Sequence, residues 1–174
     1  MDPIEVAAFE RVARARYERA RLFRGLLGAL PVLLVVGATL HLSRQPGTVA
    51  LFGGLLFVTG ATLLWRGQAL RTAFWPGLLA GLLPLLLSLA ANQSHGCASG
   101  HCSTWCVQAC AAGGVGAGLF IAHLATRRQL GWTFWGGASL MAIFTGAMGC
   151  ACIGASGVLA LVVGYAAGLA PRGA

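Results

Sequence analysis

The chain has 174 residues, 57% of them hydrophobic and only 9% charged, with a mean hydropathy of +0.79. A water-soluble domain of that length needs a far more polar surface, so the composition excludes an ordinary soluble fold and predicts an all-α membrane protein. The formal charge of +8 comes from twelve arginines, no lysine and four acids; the arginines lie between apolar runs rather than in one patch, which fits membrane topology and argues against direct nucleic-acid binding.

Residues 1–24 are the one stretch of ordinary water-soluble composition, and they hold all four acids, Asp2, Glu5, Glu10 and Glu18. Asp2-Pro3-Ile4-Glu5 reads as a helix start. Asp2 can cap, Pro3 suits the first helical position, and Glu5 completes a capping box. Val6, Phe9, Ala13, Tyr17 and Ala20 then recur at helical spacing, which makes the helix amphipathic. Arg11, Arg14, Arg16, Arg19, Arg21 and Arg24 fill much of the rest. No signal peptide is expected, because the first apolar run starts only near Gly25 and no small-residue cleavage site precedes it. No lipidation motif is present either.

Two readings compete for this helix. It can lie on the anionic inner leaflet, gaining about 1 kcal/mol per basic residue near the surface. Or it can dock a cytoplasmic partner through Val6, Phe9, Ala13 and Tyr17. The acids favour docking, since a pure membrane binder gains nothing from Glu5, Glu10 and Glu18.

Residues 25–174 are expected to form a transmembrane domain of about six helices. The apolar stretches are Gly25–Leu42, Thr48–Trp65, Ala73–Ala91, Trp105–Leu124, Gly131–Gly149 and Cys152–Ala170. Each is close to the ~20 residues that cross a bilayer core. The last two are joined by a very tight turn, so a count of five is the alternative. With six crossings and both termini in the cytoplasm, eleven arginines fall inside and only Arg44 outside, a strong positive-inside bias. Trp65, Trp75, Trp105, Trp132 and Trp135 fall near the ends of stretches, as an interfacial belt requires. Arginine without lysine suggests a GC-rich bacterial genome, and the expected location is a bacterial inner membrane.

Gly77/Gly81, Gly114/Gly118 and Gly164/Gly168 are small-xxx-small pairs that let helix backbones approach closely. The run Gly114-Val115-Gly116-Ala117-Gly118 evokes a nucleotide loop. It lies inside an apolar stretch with no strand before it, so packing is the expected role.

On this topology all six cysteines face outward, an agreement with about one chance in thirty of arising at random. Cys97, Cys102, Cys106 and Cys110 occupy the outer loop around residues 92–104 and the start of the fourth stretch. Cys150 and Cys152 flank the tight turn. His95 and His101 share the loop, and His41 ends the first stretch on the same side. Cys102, Cys106 and Cys110 are four apart, so they share a face if the fourth helix begins early enough. Thiolate and imidazole together suit zinc, Cu(I) and other soft ions. The plainer readings are disulfides, which an oxidising compartment allows, and cysteine as a small apolar residue, which suits Cys110 and Cys152 singly. The CxxC spacing of thioredoxin-like enzymes is absent.

His123 is expected to be a packing residue. Thr39, Thr59, Thr62, Ser88, Gln108, Ser139, Thr145 and Ser156 are scattered, and hydroxyls bonding within or between helices account for most of them. No charged residue lies within a stretch, and the only acids are Asp2, Glu5, Glu10 and Glu18 in the N-terminal segment. Ion-coupled transporters usually keep such groups at membrane depth. No nucleophile–base–acid set is visible, and the chain is not expected to be an enzyme.

The layout of a short cytoplasmic helix, six transmembrane helices and cysteines in the two later outer loops resembles the NrsF-type membrane anti-sigma factors of bacteria. The resemblance implies that the N-terminal segment holds an extracytoplasmic-function sigma factor and that outer cysteines sense metal or oxidant. Cys102, Cys106 or Cys110 would match the family's cysteine after the third helix, and Cys150 or Cys152 the one between the fifth and sixth. The family's later cysteine stands in a His-Cys-Pro setting, whereas this chain has Gly149-Cys150-Ala151-Cys152-Ile153. The chain is also similar in size to small mercury-uptake membrane proteins. Those need cysteines at more than one depth, and none is expected on the cytoplasmic side here. A metal-binding or transport role, with copper, zinc or mercury, and a disulfide-locked structural role are the alternatives to regulation.

Overall fold

The computed structural model describes the backbone of residues 3–43, 46–95, 104–149 and 154–169, and the side chains of residues 10–43, 46–67, 70–91, 107–149 and 157–169. Every regular element among them is an α-helix: α1 (Pro3–Gly28), α2 (Leu30–Leu42), α3 (Pro46–Arg66), α4 (Gln68–His95), α5 (Thr104–Arg127), α6 (Trp132–Ala147) and α7 (Gly154–Leu169).

α1 and α2 form one nearly continuous rod. Ala29 keeps helical dihedrals, φ −87° and ψ −4°. Its N–H still reaches the Gly25 carbonyl at 3.1 Å, and the Val32 N–H reaches the Ala29 carbonyl at 3.0 Å. Pro31 falls in the first turn of α2, where its missing N–H is cheapest. The boundary expected at Arg24 is therefore not a break. The charged segment runs straight into the first apolar one, and a single helix spans Glu10–Leu42, 33 residues, or about 50 Å of rise.

Among the described residues, four helices are long and apolar enough to cross a membrane: Glu10–Leu42, Pro46–Arg66, Leu70–Ala91 and Val107–Arg127. α6 and α7 have 16 residues each, about 24 Å of rise. For α6 that is shorter than the expected stretch Gly131–Gly149 and less than the ~30 Å of a bilayer core; the ends of the expected stretch Cys152–Ala170 lie outside the described residues. The apolar surface supports a lipid environment. Leu34 is 76% exposed and Trp132 90%, while small residues such as Ala73, Ala80, Ala117 and Ala138 are fully buried. Large groups outside and small ones inside suit helices that pack by close approach in lipid.

The arrangement is read from which glycines meet which neighbours. Gly77 faces Ala138 and Met141, Gly81 faces Ala142 and Thr145, and Gly149 faces Leu85 and Ser88. The contacts rise together along α4 and α6, so these helices are parallel. Gly114 faces Gly157 and Ala160, Gly118 faces Leu161 and Gly164, and Gly168 faces Ala122, so α5 and α7 are parallel too. All three expected glycine pairs thus lie in helix interfaces. α2 runs antiparallel to α3, with Val36 seated on Gly53.

α3 contacts α2, α4 and α6, while α5 contacts α4, α6 and α7. α4 and α6 therefore form the middle of the bundle. Two apolar clusters fill it, one around Leu56, Phe74 and Met141 and one around Ala117, Ile121 and Phe134. α4 carries Pro76 and Pro84 inside the helix. Pro84 is accommodated because its neighbours are glycines. A Cβ on Gly113 would lie 2.5 Å from the Pro84 Cα, and one on Gly146 3.0 Å from its Cγ.

Candidate functional site

The predicted outer ligands fall mostly outside the described residues. Cys97, His101, Cys102, Cys150 and Cys152 lie outside them altogether. His95 belongs to α4 and Cys106 to α5 by backbone, with their side chains outside the described set. Because α5 begins at Thr104, Cys106 and Cys110 do share a helical face. His41, at the end of α2, is exposed.

Cys110 carries a thiol and is 3% exposed. It lines a small cavity of about 30 Å³ with Pro84, Gly114, Ala142, Gly146 and Gly157, where α4, α5, α6 and α7 meet. Its surroundings are those of a small apolar core residue. Among the described residues no three metal-ligating side chains come together; of the eight predicted ligands, Cys110 alone has a described side chain.

The polar residues inside the bundle are satisfied locally. Thr39 donates to the Val35 carbonyl at 2.7 Å, Ser88 to Leu85 at 2.8 Å and Thr145 to Met141 at 2.7 Å. Among the described residues no buried polar side-chain atom lacks a partner, as an apolar surround demands. The contact of Ser139 with Tyr165 ties different helices. Ser139 donates to the Trp135 carbonyl at 2.6 Å, and its oxygen lies 2.5 Å from the Tyr165 hydroxyl. The serine's single proton goes to Trp135, so the tyrosine supplies the proton of the second bond. Trp135 meets Tyr165 edge-on at 5.0 Å.

The second candidate site is the N-terminal rod. Every described side chain from Glu10 to Ala20 is exposed, including Ala13 and Tyr17, the latter 67% exposed. Val6 and Phe9 lie in the helical backbone of α1, and its register places them on the same stripe. At the bundle end, Gly25 lies against the backbone of Ala61 and Trp65, and Gly28 against Leu64. Arg21 reaches the α3–α4 turn at Gly67. Sequence reasoning missed this contact. Its one local signal was a glycine just past the last apolar residue of α3, the mark of a helix end.

No family model matches the chain, and neither a curated protein nor a solved structure matches it.

Proposed function

We propose that the chain is a multi-pass inner-membrane regulator whose α1 holds a cytoplasmic protein. In this reading the partner is an extracytoplasmic-function sigma factor, the class implied by the resemblance to membrane anti-sigma factors. The outer cysteines and histidines take up a soft ion such as copper or zinc, or are oxidised, and so bias the packing of the bundle. The observation that carries the reading is the exposure of α1 around its whole circumference over Glu10–Ala20. An apolar stripe left without a neighbour gains from burial against a partner. Its continuity with α2 also opposes the leaflet-lying alternative, since a rod that keeps its hydrogen bonds through Ala29 must bend sharply to lie in the leaflet plane. Six crossings with both termini on the arginine-rich side complete the picture. The parallel pairs α4/α6 and α5/α7 support that count, because helices packed parallel along their lengths run through the same depth.

The test is a photo-crosslinking amino acid at Tyr17 in living cells. The expected product is an adduct identified by mass spectrometry as a sigma factor, lost when Ala13 and Ala20 are both changed to Glu. An adduct with lipid alone, or none, would sink the docking reading. Copper or zinc added to cells should change the yield of the adduct. A yield indifferent to metal and oxidant would remove the sensing half.

A further inference from the structure

We infer that Arg21 and Gly67 form a latch that sets the direction in which α1 leaves the bundle and ties α1 to the first turn of α4. The inference deepens the proposed function, since it describes how the docking helix is positioned. Among residues 10–24, Arg21 alone is not exposed. Its Nη2 lies 3.2 Å from the place where a Cβ on Gly67 would stand. Gly67 has φ +134°, a backbone region closed to other residues. The guanidinium thus rests on a turn that only glycine can make, in the space a side chain would take.

The electrostatics agree with the packing. Gly67 follows directly on α3, so Arg21 sits at the C-terminal end of that helix. Unpaired carbonyls there carry negative partial charge. The Gly67 carbonyl also accepts the Arg71 N–H at 3.0 Å and so starts α4. Arg21, Gly25 and Gly28 follow at i, i+4 and i+7 on one helical face. The two glycines pack on α3 at Ala61, Leu64 and Trp65, and the arginine ends the grip. The residues from Glu10 to Ala20 are exposed.

The consequence is a lever. From Arg21 to Glu10 the helix rises about 16 Å, so a tilt of about 10° at the latch moves Glu10 by ~3 Å. α4 links the latch to the other end of the bundle. It begins at Gln68, carries Pro76 and Pro84, and ends at His95, next to the sequence that holds Cys97, His101 and Cys102. A displacement of α4 moves Gly67, and α1 follows through Arg21.

The experiment uses the full chain in phosphatidylcholine-only nanodiscs, so that no anionic headgroup can hold Arg21. Nitroxide amino acids replace Ala13 and Arg128, and electron double resonance reads the distance between them. The parent should give one narrow population. Arg21→Gln should lose it and give a broad distribution. Arg24→Gln, which removes the same charge from an exposed position, should keep it. Gly67→Ala should behave as Arg21→Gln; should it fail to fold, the two arginine variants still decide. A narrow population that survives in Arg21→Gln overturns the latch. So does its equal loss in Arg24→Gln, or a parent that is already broad. No cytoplasmic partner is present, so the result is separate from the crosslinking at Tyr17, and either idea can fail alone.

Discussion

Replacing Gly118 by alanine tests the account of the bundle at a close contact between helix backbones. A Cβ on Gly118 would meet the Leu161 carbonyl and lie 3.0 Å from both the Gly164 Cα and the Tyr165 nitrogen. All three are backbone atoms of α7, so no side chain can turn aside. The helices must part by about 0.5–1 Å, enough to forfeit a quarter to a half of each contact's dispersion energy along the seam. Overpacking of this kind costs about 1–3 kcal/mol. That shifts the folding equilibrium by about 5- to 150-fold. The control is Gly136→Ala on α6, where nothing lies within 4 Å of the new methyl. There alanine should be neutral or stabilise by up to about 1 kcal/mol through helix propensity. Unfolding in mixed micelles with increasing dodecyl sulfate, followed by circular dichroism, gives both values. Gly118→Ala as stable as the parent would refute the close-packing argument, and so would equal losses at both positions.

Other positions give sharper local tests. Gln129 holds φ +50° at the end of α5, in a turn closed by bonds from Leu130 N–H to Ala125 and from Gln129 N–H to Thr126. Gln129→Gly should therefore stabilise by about 0.5 kcal/mol and Gln129→Val destabilise by more than that, measured in the same titration. The Ser139–Tyr165 pair should show a coupling of about 0.5–1.5 kcal/mol in a cycle of Ser139→Ala and Tyr165→Phe; a coupling of zero would mean the hydroxyls do not hold α6 to α7. A variant retaining Cys110 as its one cysteine should resist an impermeant maleimide in intact membranes and react once dodecyl sulfate unfolds it. Rapid labelling of the folded protein would contradict its burial.

The helix interfaces were the most legible part of the fold. Small residues four apart in an apolar stretch have few uses other than close packing, and Gly77/Gly81, Gly114/Gly118 and Gly164/Gly168 all serve it. The local bonds of Thr39, Ser88 and Thr145 were legible for a related reason, since a hydroxyl in an apolar helix has its own backbone as nearest acceptor. The junction near Arg24 was not legible. Hydropathy changes sharply there while helical periodicity does not, and the backbone follows periodicity because neither Gly25 nor Gly28 leaves the helical region. The contact of Arg21 with Gly67 joins residues far apart in sequence and required the α1–α3 packing to be known first. The placement of Pro84 between Gly113 and Gly146 is of the same kind. A proline in an apolar helix announces a bend, but the glycines that receive it stand on two other helices. The predicted outer ligand set lies largely outside the described residues, so its geometry adds nothing beyond the burial of Cys110.

The charge pattern of α1 bears on what the proposed docking helix can hold. Its stripe of Val6, Phe9, Ala13, Tyr17 and Ala20 comes close to a coiled-coil seam, with Arg16 at one seam position, so a second copy of the chain is one conceivable occupant. Two copies inserted the same way in one membrane would present their α1 helices in parallel. Of the three flanking pairs that then face each other, Glu5 with Glu10 and Arg19 with Arg24 bring like charges together, while Val12 with Tyr17 carries no charge. Lipid is a poor occupant for a different reason. Arg11 is thirteen residues before Arg24, about 20 Å along the axis, beyond the ~8 Å over which headgroup charge acts at physiological salt. A different protein meets neither obstacle, because it can set carboxylates against Arg11, Arg14 and Arg16 while its apolar groove takes the stripe. The arginines near the bundle, Arg21, Arg66, Arg71, Arg127 and Arg128, are explained by topology alone. Arg11, Arg14 and Arg16 also belong to the positive-inside count, but about 12–20 Å beyond Arg24 along the axis they are out of headgroup reach and would meet the acidic partner proposed above.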